Sequence, residues 1–412
     1  MDEILPRLTS VVGFACMIGI ATLLSENRRA IAWRTVGIGV ALQLAIAAPL
    51  LLTRAGRVFF DVADAVVGKL LAWTNAGTSF VFGSLPVDSP GFVFSVLPII
   101  IFLGSVFGVL YHVGLLPWLV RQLARALSRT MRLSGAESLA AVANIMVGMV
   151  ESTLIVKPYV SRMTRSELFT MMSLGMATVA GSVLAAYVHF LGGGDYAGHL
   201  ITASLISAPA GVLIAKIIVP ETGVPETSSD AAPAPERTTT NVIDAAAEGA
   251  LNGLRLAAYV GATILAFVAL IAMVNDGLGA LGALVGQPGL DLQTILGWAL
   301  APLAWIMGVP WADAPTVGSL LGLKTVLNEF IAYQALGEAM AAGELTERSR
   351  IIASYALCGF ANFGSLAILL GGLAGIAPDR RGEAARLGIK SIVAGSLATF
   401  MTGCVAGVFI AG

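Results

Sequence analysis

Two carboxylates set among apolar residues, Glu151 and Glu329, are the groups in this 412-residue chain best placed to do chemistry. Glu151 closes the run Gly148-Met149-Val150-Glu151, and Glu329 lies in Asn328-Glu329-Phe330. Each tip interrupts apolar flanks too short to cross a bilayer separately. A charge held at the bilayer centre costs at least ~2.5 kcal/mol, so an intramembrane carboxylate reads as functional by default. Either one alone could be a glutamate at a loop end, but their matched positions in two halves of the chain weigh against that for both. The pair could also serve as acid and base of an intramembrane enzyme. No nucleophile, Ser-His-Asp order, Cys-rich cluster or Gly-rich phosphate loop accompanies them, and the chain reads as a non-enzyme. His112, His189 and His199 stand at or near span ends without metal-ligand partners. Cys16, Cys358 and Cys404 lie inside apolar segments with no zinc or redox spacing and read as small packing residues.

The surroundings of these residues are those of a membrane protein. Hydrophobic residues make up 57% of the chain and charged residues 12%, where a soluble domain carries roughly 25% charged. A net charge of -1 supplies no field for nucleic acid. A crossing helix needs about 20 apolar residues, which places spans near 8–25, 35–53, 91–112, 166–191, 197–219, 252–275, 350–373 and 386–411. The expected fold is therefore all-α, with eight transmembrane helices. The start Met1-Asp2-Glu3 is acidic while Arg28, Arg29 and Arg34 follow the first apolar run, the reverse of a cleaved signal. Placing both termini outside puts those arginines in the cytoplasm, with the basic segments 121–132, 157–165 and 380–386. Arg54, Arg57, Lys69, Arg348 and Arg350 are exceptions to that rule. Residues 57–82 mix charge and aromatics as an interfacial helix does. Residues 116–132 carry Arg121, Arg125, Arg129 and Arg132 on one stripe of a surface helix.

The stretch 220–250 begins with a Pro-, Thr-, Ser- and acid-rich segment that reads as a cytoplasmic linker. It separates two halves of like order. After N-terminal spans and an interfacial helix in 1–90, residues 91–219 hold a first hairpin at about 137–160. A span containing Met176-Ala177-Thr178-Val179-Ala180-Gly181-Ser182 follows it. Residues 251–412 hold a second hairpin at about 314–342, and then a span containing Gly359-Phe360-Ala361-Asn362-Phe363-Gly364-Ser365. Paired re-entrant hairpins in an inverted repeat are the sequence pointer to a transporter's midplane site, and they favour alternating access over a channel. Lys324 lies one helical turn before Asn328, where it could neutralise Glu329, snorkel outward, or serve the structure.

The string Gly322-Leu323-Lys324-Thr325-Val326-Leu327-Asn328-Glu329-Phe330-Ile331-Ala332-Tyr333 resembles the signature of the concentrative nucleoside transporter family. Cys358-Gly359-Phe360-Ala361-Asn362, Ile368-Leu369-Leu370-Gly371-Gly372-Leu373, Lys157-Pro158-Tyr159 and Ser166-Glu167-Leu168 extend the likeness over roughly 90–410. The resemblance implies nucleoside import by sodium symport, with a proton-coupled nucleoside or nucleobase carrier as the alternative. It implies a homotrimer in the plasma membrane, the inner membrane of a bacterium, with a mobile domain built from the hairpins and broken spans. Ribose would be held by Glu329, Asn362 and Ser365, with Val183 and Phe360 beside it. The base would be read by Gly148, Met149, Val150 and Glu151. At the second and third of those positions the family usually carries Gln and Thr or Ser. Met149 and Val150 replace that polar pair and lean the expectation towards purines or broad selectivity. The implied sodium ligands are Asn144, Val147, Thr178 and Val179, with no other cofactor.

Overall fold

Uninterrupted apolar sequence gives uninterrupted helix at the start of the chain, as α1 (Ile4–Leu23) and α2 (Trp33–Leu52). A computed structural model describes residues 4–83, 92–193, 196–227, 239–284, 286–287 and 289–410. Met1-Asp2-Glu3, the middle of the expected linker, and the side chains of Val150 and Glu151 lie outside the described residues. α3 (Arg54–Phe82) starts where the Thr53 side chain accepts from Gly56 N, and it buries Gly56, Ala63, Val67 and Thr74 along one face. After α4 (Phe92–Ser95) and α5 (Leu97–His112) comes α6 (Leu115–Met131). α6 buries Leu116, Val120, Ala124 and Ser128 and leaves Arg125 and Arg129 exposed, so its basic stripe faces outward.

Each half then follows one plan. The first hairpin is α7 (Gly135–Val147) and α8 (Met149–Ile155), followed by the short α9 (Lys157–Val160). A span broken into α10 (Arg165–Ala177) and α11 (Gly181–Phe190) comes next, then the long α12 (Tyr196–Ile218). α13 (Val242–Leu284) and α14 (Leu292–Ile306) lead into the second hairpin, α15 (Ala314–Val326) and α16 (Glu329–Ala341). The second broken span is α17 (Glu347–Leu357) and α18 (Phe363–Ile376), and the long α19 (Arg381–Phe409) ends the chain. Threonines start both broken spans. Thr164 accepts from Glu167 N and Thr346 from Ser349 N, each filling a vacant first-turn donor.

The structure departs from the sequence expectation at two elements. The span expected at 252–275 is a 43-residue helix that begins inside the expected linker. α14, at 15 residues, was not among the expected spans and packs along α15. The span expected at 350–373 carries the break that its small and polar residues led one to expect, as two helices separated by Cys358–Asn362, each too short to be counted among the 7 candidate spans that the described residues hold by length and hydropathy. The core is formed by the broken spans with α12 and α19. The apolar stretch of α12 is 89% buried, whereas that of α13 is 17% buried. α13 thus presents Leu265, Val268 and Met273 outward, as a face meant for lipid or a neighbouring chain does.

Candidate functional site

Four half-helices begin at one place. The first turns of α8, α11, α16 and α18 contribute Met149, Ser182, Glu329 and Asn362 to the lining of a single cavity of about 110 Å³. The opening turns of a helix carry unpaired N–H groups and the positive end of its dipole. Four of them converging make a donor-rich pocket within an apolar protein. The breaks that create these starts have local causes. Gly148 sits at φ 102, a conformation that glycine adopts at no steric cost, and divides the first hairpin. Asn328 and Asn362 cap α16 and α18 through their side-chain oxygens, which accept from Ile331 N at 3.0 Å and from Ser365 N at 2.7 Å.

Glu329 is the first residue of α16 and is 2% exposed. Tyr187 donates its hydroxyl to Oε1 at 3.0 Å, and Asn362 donates Nδ2 to Oε2 at 2.9 Å. Each carboxylate oxygen is therefore anchored by one donor while the group faces the cavity, leaving lone pairs for a solute's hydroxyls. Asn362 does two jobs at once, capping α18 with its oxygen and fixing Glu329 with its nitrogen. Gly148, Met149, Val183, Phe360 and Ser365, all expected from the sequence, line the same cavity, as does Val147. Met149 supplies a buried apolar side chain at the tip.

A second polar cluster lies behind the first hairpin. Asn144 is 2% exposed and donates Nδ2 to Leu174 O at 2.6 Å and to Thr178 Oγ1 at 2.7 Å. The Leu174 carbonyl fixes which end of the amide is nitrogen, because it can only accept. Asn144 Oδ1 is then left buried and without a hydrogen-bond partner among the described residues. Val147 ends α7, where carbonyls have no following turn to bond. Thr178 and Val179 form the break between α10 and α11. An orphaned amide oxygen beside a helix end and a helix break is a set of hard oxygen donors. It fits the sodium ligation implied by the resemblance and offers nothing soft for a d-block metal.

Lys324, left open by the sequence, is completely buried and donates to Thr399 Oγ1 at 2.8 Å and Ala356 O at 3.2 Å. It neither snorkels nor hydrogen-bonds Glu329. His199 approaches the Tyr355 hydroxyl at 3.2 Å and His112 approaches Thr239 Oγ1 at 2.6 Å, so both sit in hydrogen-bonded packing. Sequence reasoning missed Tyr187 and the α13 wall of the cavity, where Tyr259, Thr263 and Phe267 face the tips. A signal for Tyr187 existed, since a buried phenol needs a partner for its hydroxyl.

Family models cover the chain almost end to end. The N-terminal model of the Na+ dependent nucleoside transporters matches residues 12–85, a nucleoside-recognition gate model matches 93–194, and the C-terminal model matches 199–407. The chain belongs to the sodium-dependent, concentrative nucleoside transporter family. An uncharacterized transporter of Bacillus subtilis, YutK, is 45% identical over 406 residues, covering 98% of this chain and 99% of that protein. Rat solute carrier family 28 member 3 is 40% identical over 97% of this chain, which spans 58% of that longer protein. Rat sodium/nucleoside cotransporter 1 is 37% identical over 98% of this chain and 64% of its own length. Among solved structures, CNTnw in an inward-facing substrate-bound state superimposes with a TM-score of 0.92 at 45% identity, covering 98% of both chains. A variant of CNTnw in an outward-facing state gives 0.93 at 45% identity over 98% of each. A close likeness to one protein caught facing both ways places the chain among transporters of alternating access, not among enzymes.

Proposed function

We propose that this protein imports nucleosides across the plasma membrane by sodium symport, with Glu329 as the anchor for the ribose hydroxyls. The observation that carries the reading is the buried Glu329 carboxylate, held by Tyr187 and Asn362 at the mouth of four half-helices. In this reading Asn362 and Ser365 share the sugar with Glu329, Val183 and Phe360 close over it, and the tip Gly148, Met149, Val150 and Glu151 meets the base. The apolar Met149 favours contact area over polar readout, which supports purine or broad selectivity. Asn144, Val147, Thr178 and Val179 hold the coupling ion. Bound sodium would supply a positive charge that draws the hairpin end and the helix break together. The basic segments on one side support termini that face outward, and the exposed apolar face of α13 supports a homotrimer embedded in the bilayer.

Uptake of radiolabelled uridine, cytidine, adenosine, guanosine and inosine into proteoliposomes, with sodium or with choline outside, tests the reading. Uptake should need sodium, and Glu329→Gln should abolish it or weaken it severely. Asn144→Ala should raise the sodium concentration for half-maximal uptake. Normal saturable uptake by Glu329→Gln would remove that residue from the site. Uptake indifferent to sodium but driven by an inward proton gradient would overturn the ion assignment.

A further inference from the structure

The two halves place different groups at one matched position. Gly148 and Asn328 each precede the second helix of their hairpin. Four residues before them stand Asn144 and Lys324. Both reach from the hairpin to the broken span of their own half. Asn144 binds Leu174 O and Thr178 Oγ1 at the first break. Lys324 binds Ala356 O just before the second break, and Thr399 Oγ1 on α19. Its Nζ also lies 5.6 Å from the centroid of the Phe400 ring. An ammonium donates and never accepts, and an aromatic face attracts a cation. These neutral oxygens and the ring thus surround Nζ as a binding site surrounds an ion. No carboxylate lies within ion-pair distance of it among the described residues, and Glu329 attracts it only at longer range. The two positions adjoin, for the Thr399 methyl lies against Gly359, which also meets the Met176 and Ala177 carbonyls, two residues and one residue before Thr178.

We infer that Lys324 is the second half's own cation. Its tethered ammonium fills the place that corresponds to the sodium position of the first half. Of two matched positions, only one is then open to an exchangeable ion. A permanent cation in the second half holds that hairpin against its broken span in every state, while the first half makes the same junction conditional on an ion from solution. The inference rests on reading Asn144 and Thr178 as the sodium position.

Lys324→Asn restores at the second junction the residue type of the first. Binding of radioactive sodium to purified protein should then rise by one ion per protomer over wild type, and the variant's Tm should depend more steeply on sodium concentration. An unchanged sodium count in folded Lys324→Asn would overturn the inference. If that variant is not recovered from membranes, Lys324→Met decides, since Met fills a similar volume without charge. Wild-type Tm and uptake in Lys324→Met would overturn the inference, and a lowered Tm or lost uptake supports it. Asn144→Ala, measured alongside, separates the two readings. If it leaves the sodium dependence of wild type untouched, the first-half site is wrong. If it shifts that dependence while Lys324→Asn gains no ion, only the tethered cation fails.

Discussion

At the scale of single residues, Glu329 works only as well as it is held. Tyr187 is completely buried, stacks on Tyr333 with ring centroids 4.5 Å apart, and spends its hydroxyl on Glu329 Oε1. It acts through the carboxylate, as a positioning residue. Tyr187→Phe keeps the ring and removes the donor. A hydrogen bond to a charged group is worth about 1.5–3 kcal/mol, so kcat/KM for a nucleoside should fall roughly tenfold or more. The sodium concentration for half-maximal uptake should change far less, because Asn144 and Thr178 are untouched. Equal shifts in both parameters would mark Tyr187 as merely structural. Glu329 was legible in the sequence because nothing apolar explains a carboxylate there, whereas Asn144 and Asn362 took their roles from the family resemblance. Tyr187 carried only the need of a buried hydroxyl for a partner, too weak a signal when an aromatic ring in an apolar span packs equally well as plain core. That Lys324 gives its hydrogen bonds to Ala356 and Thr399 rather than to Glu329 was also hidden, because those acceptors come from residues 32 and 75 positions away.

At the scale of elements, the helix pair α5 and α13 approaches through glycines spaced for it. Gly104 and Gly108 on α5 face Gly249 and Gly253 on α13, each so close that an added Cβ would strike a backbone carbonyl of the other helix. Small residues four apart let backbones meet in a membrane, where packing rather than water exclusion drives association. Gly→Ala raises helix propensity by up to about 1 kcal/mol, but overpacking costs roughly 1–3 kcal/mol. Gly249→Ala should therefore lower the Tm, whereas Gly277→Ala on the same helix, with open space around it, should leave it unchanged or raise it. A Gly249→Ala variant as stable as Gly277→Ala would show that the close approach contributes nothing. The glycine spacing was legible, but the length of α13 was not. Its first turns, Val242-Ile243-Asp244-Ala245-Ala246-Ala247-Glu248, have a linker's polarity and an Ala-rich helix former's backbone, and the backbone preference won. α14 escaped for the opposite reason, being shorter than the length on which a spanning helix is recognised.

At the scale of the whole molecule, charges gather the chain's distant segments where the first loop meets both halves. Glu26 follows α1, and its backbone N–H donates to Ile218 O at the end of α12. Its carboxylate accepts from Arg165 at the start of α10 at 2.9 Å and from Lys390 of α19 at 2.6 Å. Arg165 also reaches Glu383 at 3.4 Å, and Arg380 ties Glu383 to the Met163 carbonyl at the exit of the first hairpin. One carboxylate thus links α1 to the broken span of the first half and the last helix of the second. The Arg165 guanidinium, with Lys390 beside it, holds the Glu26 carboxyl down at about 2 against its usual 4.5. A carboxylate depressed on folding adds stability that is fully present above its unfolded value and is lost as pH falls through the folded one. Glu26→Gln should therefore lower the Tm near neutral pH, and its gap from wild type should close between about 4.5 and 2. The partners are partly exposed, so added salt should narrow the gap near neutral pH by screening. Melting curves of both proteins in nanodiscs across that range decide the matter. No gap at any pH would mean that Glu26 holds the loop through its backbone alone, since the bond from its N–H to Ile218 O survives the substitution, and a gap that stays constant in acid would mean that the side chain acts otherwise than through its charge.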